Sequence, residues 1–189
     1  FKFKSKEKDI TEENIQSRIR SLLLMAISNK FGNMLISTSN KSESAVGYST
    51  LYGDMSGGFS PLKDVWKTDV FALSRWRNIN IPSISNYEKK DVIPDAIINK
   101  PPTAELRENQ KDTDSLPDYK TLDAILSLSI EGMKGEQDII KSGFDEKVVK
   151  KVLSLLRNSE YKRFQAPPGP KLGKKAFGRD RMYPLTNRF

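Results

Sequence analysis

The chain has 189 residues, a net charge of +8, 37% hydrophobic and 30% charged residues, and neither Cys nor His. That length supports one domain with its own core, and the balance is that of a folded chain rather than a disordered one. The missing residue types exclude thiol nucleophiles, disulfides, imidazole bases and the usual zinc ligands, so any chemistry rests on carboxylates, Lys, Arg, hydroxyls, backbone groups or a hard metal such as Mg²⁺. No apolar run approaches the roughly 20 residues of a membrane helix. The longest, LLLMAI at 22–27, is short and sits between polar flanks. The absence of Cys accords with a cytoplasmic location. The positive charge fits nucleic acid, a phosphate-rich small molecule, or simply a solvated basic surface. The opening FKFKSKEKDI carries neither a signal-peptide core nor an initiating Met, and a longer parent chain is expected.

In chain order, the first predicted element is a helix over 10–31. Thr11 is its expected N-cap, Ile10 and Ile15 a hydrophobic staple, and Gly32 its stop. Ile15, Ile19, Leu22, Leu23 and Ala26 recur at helical spacing and are expected to face inward. NMLIST at 33–38 reads as a short buried strand running into a polar turn, 38–43. Helix, strand and turn in that order are the grammar of an α/β protein, whose ligands bind beyond the carboxyl ends of parallel strands. A second helix is expected at 63–77 with Val70, Phe71 and Leu73 inward. Residues 79–118 are proline-rich and polar, and read as long loops. Helices return at 119–131, with Leu122, Ile125, Leu126 and Ile130 on one face, and at 145–157, capped by Asp145. A core of 1–161 followed by a basic, Pro/Gly-rich tail, 162–189, is the simplest parse.

Three groups of residues could carry chemistry. Asn14 and Arg18 are spaced i,i+4 and share a helix face, either as ligand contacts or as a solvated polar face. Glu43 closes a turn crowded with donors and hydroxyls, where it could hold Mg²⁺ or serve as a capping or surface carboxylate. The stretch YGDMSGGFSPLKDVWKTDV, 52–70, holds SGGFS, one letter from the SGGxDS phosphate loop of ATP pyrophosphatases. A phosphate loop should follow an apolar strand and open a helix, so that its N–H groups and the helix dipole meet the phosphates. SGGFS follows no apolar strand, lacks the Asp, and is followed by Pro61; it is expected to be a flexible turn only.

TEENIQSRIRSLLLMAISNKFG, STSNKSESAVGYSTLYGDMSGGFSPLKDVWKT, KPPTAELRENQKDTDSLPDY and EYKRFQAPPGPKLGKKAFGRDRMYPLTNRF together resemble the glutamine-dependent NAD⁺ synthetases. The likeness spans nearly the whole chain, in the family's order; Ser39 stands where many members have Gly. It implies a Rossmann-like ATP pyrophosphatase fold (adenine nucleotide alpha hydrolase-like), of which this chain is the C-terminal part, in a cytoplasmic homodimer. It implies Mg·ATP-driven amidation of nicotinic acid adenine dinucleotide (deamido-NAD) through an acyl-adenylate, with ammonia from a glutaminase domain. Neither that domain nor the SGGxDS loop lies in these residues, and the chain alone is expected to be inactive. Nucleic acid and membrane are not expected partners.

Carried over position by position, the resemblance implies that Thr38, Lys67 and Thr103 contact ATP. Glu43 meets Mg²⁺ or the dinucleotide. Asn14, Arg18, Tyr48 and Lys162 hold deamido-NAD, and Glu43 and Lys67 carry the catalytic charge. Leu51 and Gly58 stand where some ammonia-dependent members place polar side chains, and those contacts do not transfer. The alternatives are another ATP pyrophosphatase, GMP-synthetase-like or tRNA-modifying, told apart by its ligand, and a basic nucleic-acid-binding module. The latter would show steep salt dependence, yet the tail lacks the interleaved aromatics of a single-strand binder.

Overall fold

In the computed structural model, which describes Glu7 and residues 9–186, the first helix, α1 (Ile10–Phe31), is capped by Asp9 rather than by Thr11. The Asp9 carboxylate accepts from the Thr11 N–H at 2.7 Å, and Glu12 reaches back to the Asp9 N–H at 2.9 Å. This capping box replaces the expected cap, two residues earlier in the chain. Most of the FKFKSKEKDI opening, and the last three residues of the basic tail, lie outside the described residues. Gly32, at φ 67°, closes α1 as expected.

The apolar stripe of α1 does not face inward. Ile15, Ile19, Leu22, Leu23 and Ala26 are exposed, and the helix buries Ser17 and Ser21 instead. The cause is a close approach: α1 leans on the 50–56 turn through its small polar residues. Ser17 Oγ accepts from the Asp54 N–H at 3.0 Å, and Ser21 bonds Ser56. A Cβ on Gly53 would lie 2.2 Å from Ser17 Oγ, so only glycine lets the turn come this near.

The expected buried strand at 33–38 is also revised. No multi-residue strand occurs among the described residues; Ile36 makes one parallel bridge to Phe59. The Ser37 N–H donates to Phe59 O at 2.9 Å and the Gly58 N–H to Leu35 O at 2.8 Å. Met34 and Ile36 remain exposed. The partner is the SGGFS stretch, which bends at Gly57 and Gly58 and is held to 35–37 by these backbone bonds rather than being free. Gly57 sits at φ 151°, and a Cβ there would stand 2.9 Å from Leu35 O. Glycine is what permits the two backbones to meet.

The polar turn ends in a helix. Asn40 caps α2 (Lys41–Val46), and Glu43 completes a second capping box, so Glu43 lies in the first helical turn. Next, α3 (Lys67–Ile79) begins four residues later than expected, because 61–65 forms turns; Val70 and Phe71 are half-buried, but Leu73 is exposed. The 80–118 stretch is irregular except for α4 (Asp95–Asn99) and a single 3₁₀ turn at Asp112–Asp114. Then come α5 (Tyr119–Ile130), the short α6 (Glu136–Lys141), α7 (Glu146–Asn158) and α8 (Glu160–Phe164). Periodicity located α5 and α7, with Asp145 capping α7, but α6 and α8 are too short to carry a readable apolar stripe.

The core sits among α2, α5, α6 and α7. Leu122, Ile125, Leu126, Ile130, Ile139, Val149, Val152 and Leu156 are all at most 1% exposed. Asp123 of α5 ties three helices together, accepting from Ser42 Oγ on α2 and from the Thr68 N–H and Oγ1 on α3 at 2.9 and 2.8 Å. The 162–186 segment is sewn to this body. Arg163 is buried and donates to Ala45 O and Leu156 O, each at 2.6 Å, while Phe177 joins the core. Lys41 is fully buried, 2.8 Å from Asp64 and 2.9 Å from Glu131, and donates to Lys175 O. No helix among the described residues is long and apolar enough to cross a membrane.

Candidate functional site

A cleft of about 590 Å³ opens between the first half of α1, the start of α2, the start of α3, the 101–112 loop and α8. Elements far apart in sequence each contribute to it. From α1 come Asn14 and Arg18; from the approach to α2, Thr38; from the first turn of α2, Glu43; just beyond α2, Tyr48. Lys67 enters from the first turn of α3, Thr103 from the proline-rich loop and Lys162 from α8. The cleft therefore brings together every residue that the sequence nominated. Residues 56–60 do not line it; Ser56 and Gly57 border a separate depression beside Met25 and Pro167.

Glu43 and Lys67 form an ion pair at 3.0 Å, the only direct bond between two nominated side chains among the described residues. The Lys67 ammonium also lies 5.4 Å from the Tyr119 ring and 5.9 Å from that of Phe71, so aromatic faces share in holding it. Asn14 accepts from Thr50 Oγ1 at 3.0 Å and Arg18 Nε donates to Leu51 O at 3.2 Å, which fixes both to the 50–55 turn. Thr103 Oγ1 accepts from the Glu105 N–H at 3.1 Å. Thr38 is exposed at the mouth.

Lys162 is turned toward its own chain. Its Nζ donates to Gly47 O at 2.7 Å and Ser49 O at 2.6 Å, bracing the bend after α2. Burial pushes its ammonium below the usual lysine range, against the opposing pull of Asp54. Asp54 accepts from the Thr50 N–H at 2.7 Å, yet burial raises its carboxyl above the ordinary value, with Glu43 adding to the rise. The Tyr48 phenol is likewise pushed up, by burial first and then by the charge of Asp112.

Sequence reading missed Glu13, Asp54, Gln110 and Asp112, all of which line the cleft. Asp112 lay within the quoted KPPTAELRENQKDTDSLPDY, but a carboxylate in a polar loop carries no local signal that separates it from a solvated one. No three His, Cys, Asp or Glu side chains among the described residues are placed to hold a metal ion. Mg²⁺ bound with nucleotide commonly takes only one or two carboxylates, the rest of its shell being phosphate and water. The single Glu43 fits that donor set.

Solved structures with this arrangement define the class. The glutamine-dependent NAD(+) synthetase of Cytophaga hutchinsonii superposes with a TM-score of 0.70 at 23% identity, over 94% of this chain and 28% of that one. The NMN synthetase of Francisella tularensis gives 0.61 at 23%, over 92% and 59%. The fold is thus the ATP pyrophosphatase type of these ligases, with only a fragment of its sheet within the described residues. The NAD synthase family model matches residues 2–166, and the chain belongs to that family. It is 57% identical over 181 residues to the glutamine-dependent NAD(+) synthetase of Rhodobacter capsulatus, covering 96% of this chain and 33% of that protein. With that of Thermotoga maritima it shares 51% over 187 residues, covering 99% and 31%. The chain spans about a third of the length of the curated relatives it matches.

Proposed function

We propose that this chain is the dinucleotide-binding part of a glutamine-dependent NAD⁺ synthetase and supplies half of its ATP site. The observation that carries the reading is the meeting of all eight nominated residues in one cleft. In the reaction a carboxylate oxygen of deamido-NAD attacks the α-phosphorus of ATP and pyrophosphate leaves. Ammonia then attacks the acyl carbon, AMP leaves with the bonding pair, and the ammonium proton is lost to solvent or a nearby base.

Neither step needs Cys or His; both need charge neutralised and two ligands held in line. Lys67 neutralises phosphate, and Thr38 and Thr103 bond the nucleotide. Arg18 and Asn14 hold deamido-NAD from the α1 side, Tyr48 forms the wall, and Lys162 both braces that wall and offers its remaining proton. Mg²⁺, when bound, supplies charge for the departing pyrophosphate, and Glu43 is the residue that would hold it. The phosphate loop, the ammonia source and a second subunit belong to the parent chain in this reading. The exposed apolar residues of α1 support the homodimer, because a soluble protein seldom leaves such a patch bare. The cytoplasm is the matching compartment.

The test is product analysis. The full-length protein given ammonium, Mg·ATP and deamido-NAD should form NAD⁺, AMP and pyrophosphate in equal amounts. Residues 1–189 alone should form none, since losing a preorganised phosphate site costs orders of magnitude in rate. Full-length protein that made no AMP would defeat the reading.

A further inference from the structure

The start of α3 is capped by distant parts of the chain. Trp66, its N-cap residue, makes no side-chain capping bond. The first two helical N–H groups are met instead from α2 and α5. The Lys67 N–H donates to Ser42 Oγ at 2.9 Å, and the Thr68 N–H donates to Asp123 Oδ2 at 2.9 Å. Ser42 Oγ in turn donates to Asp123 Oδ1, and Thr68 Oγ1 donates to Oδ2 at 2.8 Å. One carboxylate thus fastens the first turn of α2 to the first turn of α3.

Holding helices together does not by itself call for a charge. Asp123 is buried at 6% exposure, Ser42 is fully buried, and no salt bridge among the described residues reaches Asp123. Burial pushes its carboxyl above the ordinary value, the bonds from Ser42 and Thr68 pull it back, and the charge of Asp69 adds to the rise. A buried carboxylate without a cation is destabilising. Here it is offset by three hydrogen bonds and by the positive end of α3, both of which a neutral side chain would engage less strongly. What the carboxylate fixes lies beside it on both helices. Ser42 directly precedes Glu43, and Lys67 is the first residue of α3; the two side chains meet at 3.0 Å in the cleft. Asp123 itself does not line that cleft. Resting on the synthetase reading, we propose that Asp123 is a positioning residue for the nucleotide site: through Ser42 and the start of α3 it sets where Lys67 stands beside Glu43, and so how well Lys67 meets the phosphates of ATP.

Asp123→Asn keeps the shape and removes the charge. Its amide oxygen can still accept from Thr68, but the NH₂ then faces Ser42 Oγ, whose proton loses its acceptor. In the full-length enzyme this variant is compared with Lys67→Gln, with the two changes combined, and with Val152→Ala, a core change on α7 outside the cleft that lowers stability through packing alone. Equilibrium Kd for Mg·ATP and for deamido-NAD is measured for each well below its Tm. Asp123→Asn should raise the ATP Kd about fivefold or more and leave that of deamido-NAD within about twofold. In the Lys67→Gln background the same substitution should change the ATP Kd by less than about twofold, because the side chain it positions is gone. Val152→Ala should lower Tm and leave both Kd values within about twofold. Ser42→Ala cuts the link to Lys67 while leaving Asp123 on Thr68; it should show the same selective loss of ATP, and it decides the matter should Asp123→Asn fail to fold. If the ATP Kd holds, if both nucleotides weaken together, if Val152→Ala weakens ATP as much, or if Asp123→Asn has its full effect without the Lys67 side chain, Asp123 is structural and the assignment falls. A wild-type enzyme that binds both nucleotides but makes no NAD⁺ sinks the synthetase reading, whereas an ATP Kd in Asp123→Asn equal to that of a wild type that does make NAD⁺ sinks this assignment alone.

Discussion

Glu43 serves two partners with two oxygens. Oε1 meets Lys67 at 3.0 Å and Oε2 accepts from the Asn40 N–H at 3.3 Å. Gln can keep the capping bond but not the charge. In the full-length enzyme Glu43→Gln should therefore cut kcat by roughly 10²-fold, leave the ATP Kd within about threefold and barely move Tm. Steady-state kinetics at saturating Mg²⁺ beside ATP titration checks this, and an unchanged kcat would remove Glu43 from the chemistry. Asp54 gives a pH signature. Burial raises its carboxyl above 3.8, so the folded state keeps a proton that the unfolded chain has already released. Its contribution to stability accordingly falls as pH rises from the ordinary carboxylate value through the raised one, and is level above. Asp54→Asn cannot titrate and should lack that decline in urea melts run upward in pH from the ordinary carboxylate value; parallel curves would contradict the assignment. The identities of the nominated site residues were legible because four long motifs carried them. What they bond to was not: nothing near Lys162 in sequence signals that its Nζ faces Gly47 O and Ser49 O, more than a hundred positions away.

At the level of elements, legibility followed capping and packing together. Helices α5 and α7 have capping aspartates and apolar faces that find one another in the core, so periodicity and burial agreed. Helix α1 shows equal periodicity, yet buries Ser17 and Ser21. A pattern names the face able to be buried; only a neighbour buries it. The Ile36–Phe59 bridge shows the same limit from the other side, since SGGFS lacks the apolar alternation of a strand and pairs through backbone alone. Gly57→Ala should test that contact. Its Cβ would meet Leu35 O at 2.9 Å and Ser37 N at 3.0 Å, both backbone atoms that cannot swing aside, at a φ of 151°. A loss of about 3 kcal/mol in chemical unfolding is expected, with site residues on either side displaced. A loss under about 1 kcal/mol would show that the two segments are not held together.

The molecule as a whole is closed by its last segment. Asp64 accepts from the Leu172 and Gly173 N–H groups at 2.7 and 2.6 Å, and Lys41 binds Asp64, Glu131 and Lys175 O from beneath. Lys41 stands two residues before Glu43, so the strap and the cleft share one helical turn. Lys41→Met would leave Asp64 buried without its cation. It should cost about 3–5 kcal/mol and free 168–177 to proteolysis and amide exchange before the rest of the chain unfolds. Simultaneous loss of protection everywhere would instead make the strap part of one cooperative unit.

By itself the sequence determined the helices whose caps and apolar periods lie within a dozen residues, the chemistry excluded by the absence of Cys and His, and the eight residues that one cleft brings together. Tertiary structure alone decided which face of α1 turned inward, that SGGFS pairs with 35–37, and that Asp112 meets Tyr119 at the cleft. It also decided that a basic tail became a strap. The physical reason is range. Propensity and capping act between neighbours, whereas a hydrogen bond such as that from Lys41 to Lys175 O joins groups 134 positions apart, and no local pattern encodes the partner.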